Sequence, residues 1–339
     1  MATGSRLIDA ELTAYRLRLP LHRPLCSAHG VERVRELIVV AARLDDDTVG
    51  WGECPTLGVS GYSRETTERA WAALCGGAAL GPMAAGAVAD ARLDAWLRAE
   101  RRSLAEFLGA GSSVVATSTV VDLGGDIPDG GFVKWKVTPE TARQVGEFVS
   151  ARGERGCAVD ANGSFSEVHE VVAAFGGLPL AYVEQPLAAG SDADLALVVA
   201  QLDVPVALDE SVDGMEALYR LASLGAMSVI SLKPARVGGV EVAASMFDEA
   251  GRLGVGVFVG GMWESGIGRA TALALAARDG VAFPADLGPT GRYLADDLCP
   301  PLVSEGGSVV LPEGPGIGVV PDPDRLARYT IATSPLPVL

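Results

Sequence analysis

A chain of 339 residues, 49% hydrophobic and 21% charged, has the composition of one large or two ordinary globular domains and excludes a disordered protein. Its net charge of −16 argues against a nucleic acid or an anionic membrane as partner, and no uncharged apolar run is long enough to span a bilayer. The opening MATGSRLIDAELTAYRLRL lacks a basic segment followed by an apolar one, and Cys26, Cys54, Cys75, Cys157 and Cys299 are scattered without metal-site spacing, so a cytoplasmic chain with free thiols is expected.

Residues 7–18 and 36–44 partly alternate, and 48–54 offers a third strand. Helical patterns begin at Ser63 and at Met83, which predicts an α+β module over residues 1–108. From 109 to 312 short apolar runs alternate with helical patterns. The runs are 114–121, 131–137, 156–160, 180–184, 204–209, 227–233, 254–260 and a weaker 280–286. After the second run, Thr138 reads as an N-cap with Pro139 at the first helical position, and Ser191 with Asp194 approximates a capping box. Eight strand–helix units predict an α/β fold: a closed (β/α)8, TIM-like barrel preceded by the α+β module. An open doubly wound sheet competes, but no glycine-rich fingerprint follows the first strand.

Five of these strands end in a charge: Lys136, Asp160, Glu184, Asp209 and Lys233, separated by 24, 24, 25 and 24 residues. A lone strand-end carboxylate is commonly a helix cap or a solvated charge; five at intervals of one unit are not explained that way. Equivalent positions of successive units share the C-terminal rim, where barrel active sites sit. Side chains alternate along a strand, so Val133, Trp135 and Val137 face the covering helices while Phe132, Lys134 and Lys136 face inward. Three inward carboxylates repel one another unless neutralised, and Mg²⁺ (with Mn²⁺ as a substitute) suits an all-oxygen site. A partly desolvated lysine beside a cation and another ammonium is expected to have a lowered pKa and to serve as a base.

The segments KWK, VDAN, VEQP, ALDES, SLKPARVGG and GGMWESGIGR resemble the enolase superfamily, in its muconate-lactonizing-enzyme-like subgroup and there the o-succinylbenzoate synthase family; residues 51–75 resemble that family's capping domain, which implies an α+β capping domain over 1–108 that the tail, about 313–339, rejoins. The resemblance implies Mg²⁺ on Asp160, Glu184 and Asp209, Lys136 as acid/base, and Lys233 facing it. It implies Lys134 as an auxiliary cation near a substrate carboxylate and Asn162 as support for the metal shell. The implied reaction is dehydration of 2-succinyl-6-hydroxy-2,4-cyclohexadiene-1-carboxylate in menaquinone biosynthesis, on a small-molecule carboxylate. The amides of Gly260, Gly261 and Met262 would hold the succinyl end, and cap loops at about 20–30 and 55–61 would close the mouth. Trp263 is unusual beside the smaller residues associated with this loop.

The same five residues suit N-succinylamino acid racemisation or another 1,1-proton transfer. Dipeptide epimerisation is disfavoured because residues 286–288 read Asp-Leu-Gly, and cycloisomerisation has no positive support. An inactive barrel acting as a binding protein would have lost a ligand or a base, yet all are present. A Schiff-base aldolase fits poorly with three carboxylates around the lysine. The histidines His22, His29 and His169 are misplaced for a base, and Met215, Met227 and Met246 read as core fillers. The oligomeric state is left open.

Overall fold

The computed structural model describes residues 9–27, 30–58, 63–122, 131–152 and 156–337. Partly alternating stretches build the first sheet. β1 (Glu11–Ser27) pairs antiparallel with β2 (Gly30–Arg43), which pairs with β3 (Val49–Cys54). Alternation sends the two faces to different cores. Leu12, Ala14, Ile38 and Val40 pack with residues of α1 (Thr67–Gly76) and α2 (Pro82–Ala99), whereas Leu17, Leu19, Leu37 and Val39 join the main core.

The start of α2 has no cap from its own flank. Pro82 occupies its first turn, and the Glu65 carboxylate accepts from the amides of Met83 (2.8 Å) and Ala84 (2.9 Å). Gly52 lets β3 lie against this helix, since a Cβ there would stand 2.7 Å from the Ala91 amide nitrogen. At Gly86 the helix meets Gly239 in the same way: a Cβ on Gly86 would lie 2.7 Å from the Gly239 nitrogen. A short α3 (Leu104–Leu108), with a Ser103/Glu106 capping box, completes this part.

The stretch expected as one strand at 114–121 is two. β4 (Val114–Ala116) leaves the main sheet, while β5 (Ser118–Val121) enters it. The break falls at Thr117, whose amide donates to Gly307 O at 2.8 Å. Then follow β6 (Phe132–Lys136), α4 (Ala142–Arg152), β7 (Cys157–Asp160), α5 (Val168–Phe175), β8 (Val183–Glu184) and α6 (Asp192–Gln201). Next come β9 (Val206–Leu208), α7 (Met215–Ser223), β10 (Val229–Leu232), α8 (Pro234–Val237), α9 (Val240–Arg252), β11 (Gly256–Val259) and α10 (Gly266–Ala276). Strands β5 to β11 form one parallel sheet in sequential order.

Two helix starts differ from expectation. α4 begins at Ala142, not after Thr138: residues 139–141 form a turn in which the Thr138 amide donates to Thr141 Oγ1 at 2.8 Å. Ser191 does cap α6 by position, but its side chain makes no capping bond. The weak eighth run is not a regular strand. Ala282 and Asp286 donate to Val257 O (2.7 Å) and Val259 O (3.0 Å), and Ala285 exchanges bonds with Ala116 and Ser118 at 2.9 Å each. The segment therefore bonds to β11 on one side and to the β4–β5 junction on the other.

Trp135 points outward as expected and stacks on Phe148 of α4, with ring centres 5.3 Å apart. Inside, Phe132 stacks on Tyr182 and Tyr182 on Phe258, in one cluster with the small residues Ala158 and Ala207. The chain closes with β12 (Ser304–Glu305) and β13 (Ser308–Val310), which pairs with β4. After α11 (Pro323–Tyr329), β14 (Thr330–Pro335) pairs antiparallel with β1, so the tail rejoins the first sheet. Among the described residues, no helix is long and apolar enough to cross a membrane.

Candidate active site

Parallel pairing turns the 24-residue spacing into lateral adjacency. Lys136 ends β6 opposite Asp160, and Asp160 ends β7 opposite Glu184. Asp209 and Lys233 follow directly on β9 and β10. All three carboxylates are buried.

Each carboxylate meets a cation of the chain. Lys136 Nζ lies 2.5 Å from Asp160 Oδ2 and donates to Asn162 Oδ1 at 2.6 Å. Lys134 Nζ donates to Glu184 Oε2 at 2.6 Å and also contacts Asp286, whose other oxygen accepts from Ser118 Oγ. Asp209 is bracketed, with Lys233 Nζ 2.8 Å from Oδ2 and Arg236 Nη1 2.7 Å from Oδ1. The lysines differ in access: the Lys136 side chain is 38% exposed, Lys233 12% and Lys134 3%.

Burial disfavours the charge on Lys134, but Asp286 and Glu184 outweigh it and hold its pKa well above the ordinary lysine value. At Lys136 the balance has the same sign. Burial works against its charge, yet Asp160 prevails and its pKa is raised, not lowered. The ammonium sits directly on that carboxylate. Asp160 and Asp209 are correspondingly lowered: burial opposes this, but Lys136 prevails at Asp160, and Arg236 with Lys233 at Asp209. Glu184 goes the other way, pushed up to about 8 by burial, with Lys134 only partly offsetting its carboxylate neighbours.

This donor set suits a hard divalent cation. Three buried carboxylates on adjacent strand ends offer oxygens alone, and a cation among them would offset the burial that chiefly raises Glu184 together with the repulsion of its neighbours. As they stand, ammonium groups lie against the carboxylates, and no three Asp, Glu, His or Cys side chains among the described residues converge on one point.

The amides expected to hold a substrate arm are mostly engaged. Gly260 donates to Leu232 O at 3.0 Å and Met262 to Glu264 Oε2 at 2.5 Å, which leaves Gly261. Asn162 reaches Lys136 and, through Nδ2, Glu210 at 3.1 Å. Its backbone φ of 45° is left-handed, a conformation Asn tolerates better than most residues. Residues 28–29 and 59–61 of the two expected loops, and with them His29, lie outside the described residues.

Sequence reasoning missed Arg236 and the role of Asp286. Arg236 stands one helical turn after Lys233 in KPAR, and Asp286 ends the eighth run as the other charges end theirs. The same strand-end rule, carried two units past Lys233, finds the second.

A parallel α/β sheet whose successive strand ends carry lysines and carboxylates is the frame of an acid–base enzyme. The family model described as "Enolase C-terminal domain-like" matches residues 127–325. The chain belongs to the enolase superfamily. An N-succinylamino acid racemase of Amycolatopsis is 32% identical, covering 94% of this chain and 96% of its own. An o-succinylbenzoate synthase of Listeria innocua is 28% identical, covering 97% and 96%. A solved enolase-superfamily protein from Listeria innocua superposes with a TM-score of 0.89 at 25% identity, covering 97% of this chain and 99% of that one.

Proposed function

We propose that this chain is an o-succinylbenzoate synthase, dehydrating 2-succinyl-6-hydroxy-2,4-cyclohexadiene-1-carboxylate to 2-succinylbenzoate in menaquinone biosynthesis. The observation that carries it is the placement of Lys136 and Lys233 at either end of the row Asp160, Glu184, Asp209. The synthase relatives at 26–29% identity over most of the chain support it.

In this reading Lys136, in its neutral form, takes the proton α to the ring carboxylate. The electron pair released forms the ring double bond as the neighbouring hydroxyl leaves. The same ammonium protonates that hydroxyl, which departs as water, and aromatisation drives the step. Lys233 presents its charge across the ring to the carboxylate on which negative charge develops. Lys134, buried and pinned between Glu184 and Asp286, supplies a fixed positive charge below the mouth. Asp160, Glu184 and Asp209 would hold Mg²⁺, with Mn²⁺ as a substitute; when bound, it supplies positive charge to the substrate carboxylate. Asn162 sets the Lys136 ammonium, and Gly261 keeps an amide for the succinyl end.

The sheet reads best as a closed (β/α)8 barrel at about 109–312 with segment 280–286 as its eighth strand, under a cap of about 1–108 and the tail. The backbone bonds of Ala282, Ala285 and Asp286 to both sheet edges support that closure. Four free cysteines among the described residues fit a reducing cytoplasm.

N-succinylamino acid racemisation is a second reading, favoured by the 32% identical relative and by a lysine at each end of the row. Purified protein with Mg²⁺ is given the cyclohexadiene acid and an N-succinylamino acid separately. Rapid loss of diene absorbance with negligible racemisation supports the synthase; the reverse result sinks it.

A further inference from the structure

Arg35, on β2, is completely buried, far from the charged row in sequence and carrying no visible motif. Its guanidinium nevertheless satisfies every donor. Nε donates to Trp263 O (2.8 Å), Nη1 to Thr56 O (2.8 Å) and Glu36 O (2.9 Å), and Nη2 to Pro55 O (2.7 Å) and Met262 O (3.3 Å). Four of these carbonyls belong to two loops remote in sequence: the one after β3 and the one after β11. Glu32 extends the clamp, 3.3 Å from Nη1 with one oxygen and accepting the Gly58 amide at 2.8 Å with the other.

The loop after β11 needs such a hold. Trp263 has φ 56°, a left-handed conformation that a bulky residue adopts at a cost, and its carbonyl is fixed by Arg35. Just upstream, Gly260 passes so close to Lys233 that a Cβ there would stand 2.9 Å from Lys233 Cε. The conformation of this loop therefore bears on where Lys233 points. Only a planar fork with five donors serves both loops at once; a lysine, with three donors on one atom, does not.

We infer that Arg35 is a positioning residue that fastens the cap loop 55–58 to the loop 260–263, so that both hold the rim over Lys233 as one unit. Its kinetic consequence rests on the synthase reading; the coupling of the loops does not.

Arg35→Lys and Arg35→Ala are compared with the parent by hydrogen exchange and by steady-state turnover of the cyclohexadiene acid. The amides of 56–58 and 263–264 are expected to exchange about tenfold faster in both variants, with β7 to β9 unchanged. kcat/KM is expected to fall about tenfold or more, with kcat lowered as Lys233 loses its placement, and with recovery when guanidinium ion is added to Arg35→Ala. Faster exchange at one loop alone, at neither, or uniformly along the chain overturns the inference, as does an unchanged kcat. If neither variant folds, exchange of the unsubstituted protein in sub-denaturing urea decides: one shared opening sustains the coupling, two separate openings refute it. A parent that turns over no cyclohexadiene acid defeats the synthase reading, while the exchange result still stands.

Discussion

Asn162 accepts a hydrogen bond from the Lys136 ammonium across 2.6 Å, and this pins the one lysine of the row whose side chain is substantially open to the mouth. Asn162→Ala should leave Lys136 with Asp160 alone of these two acceptors and let the ammonium swing toward it. A fall of about tenfold in kcat with little change in KM is expected from such misplacement, read from initial rates.

Lys136→Ala removes the proposed base itself. Dehydration should drop by about 10²–10⁴-fold, while Mg²⁺ binding, followed by calorimetry, persists. A variant that keeps parental turnover would move the base elsewhere, with Lys233 the first alternative.

Metal loading can be read without turnover. Saturating Mg²⁺ should raise the melting temperature, by a stabilisation of about 2.7 kcal/mol at one hundred times the dissociation constant. Asp209→Asn should abolish that rise, and because it also strips a carboxylate from Lys233 and Arg236 it should cost about 3–5 kcal/mol on its own. An undiminished Mg²⁺ shift in this variant contradicts its role as a ligand.

Asp90 gives a pH prediction away from the site. It sits on α2 and accepts the Val240 amide at 2.8 Å, and burial pushes its carboxyl up to about 7. Its folded pKa lies above the unfolded value, so its contribution is fullest in acid and is lost as pH rises toward 7. The slope reaches at most about 1.4 kcal/mol per pH unit. Urea unfolding at pH 5 and pH 8 should show Asp90→Asn gaining stability relative to the parent at the higher pH. Equal differences at both values would exclude the titration.

Much of the site is legible in the chain because one physical rule repeats: a strand–helix unit of nearly constant length returns each strand end to the same rim. Lys136, Asp160, Glu184, Asp209 and Lys233 follow from that rule, and Trp135 on the helix side follows from strand alternation. What depends on side-chain reach is not legible. Arg236 bonds Asp209 from the next helical turn, and Asp286 draws Lys134 toward the eighth segment. The raised pKa of Lys136 escapes for the same reason, since spacing says which charges are neighbours but not which ammonium settles on which carboxylate. The break at Thr117 is also silent in the sequence, because both halves of 114–121 read as strand and only the partner strand β13 separates them.

The meeting of Gly86 with Gly239 carries a mechanical consequence. Two backbones in direct apposition, with no side chains between them, leave no soft layer in which one body can roll over the other. Helix α2 is thereby seated on the start of α9 like a fixed keystone. A side chain introduced at residue 86 should therefore part α2 from the start of α9 along its length rather than loosen one loop.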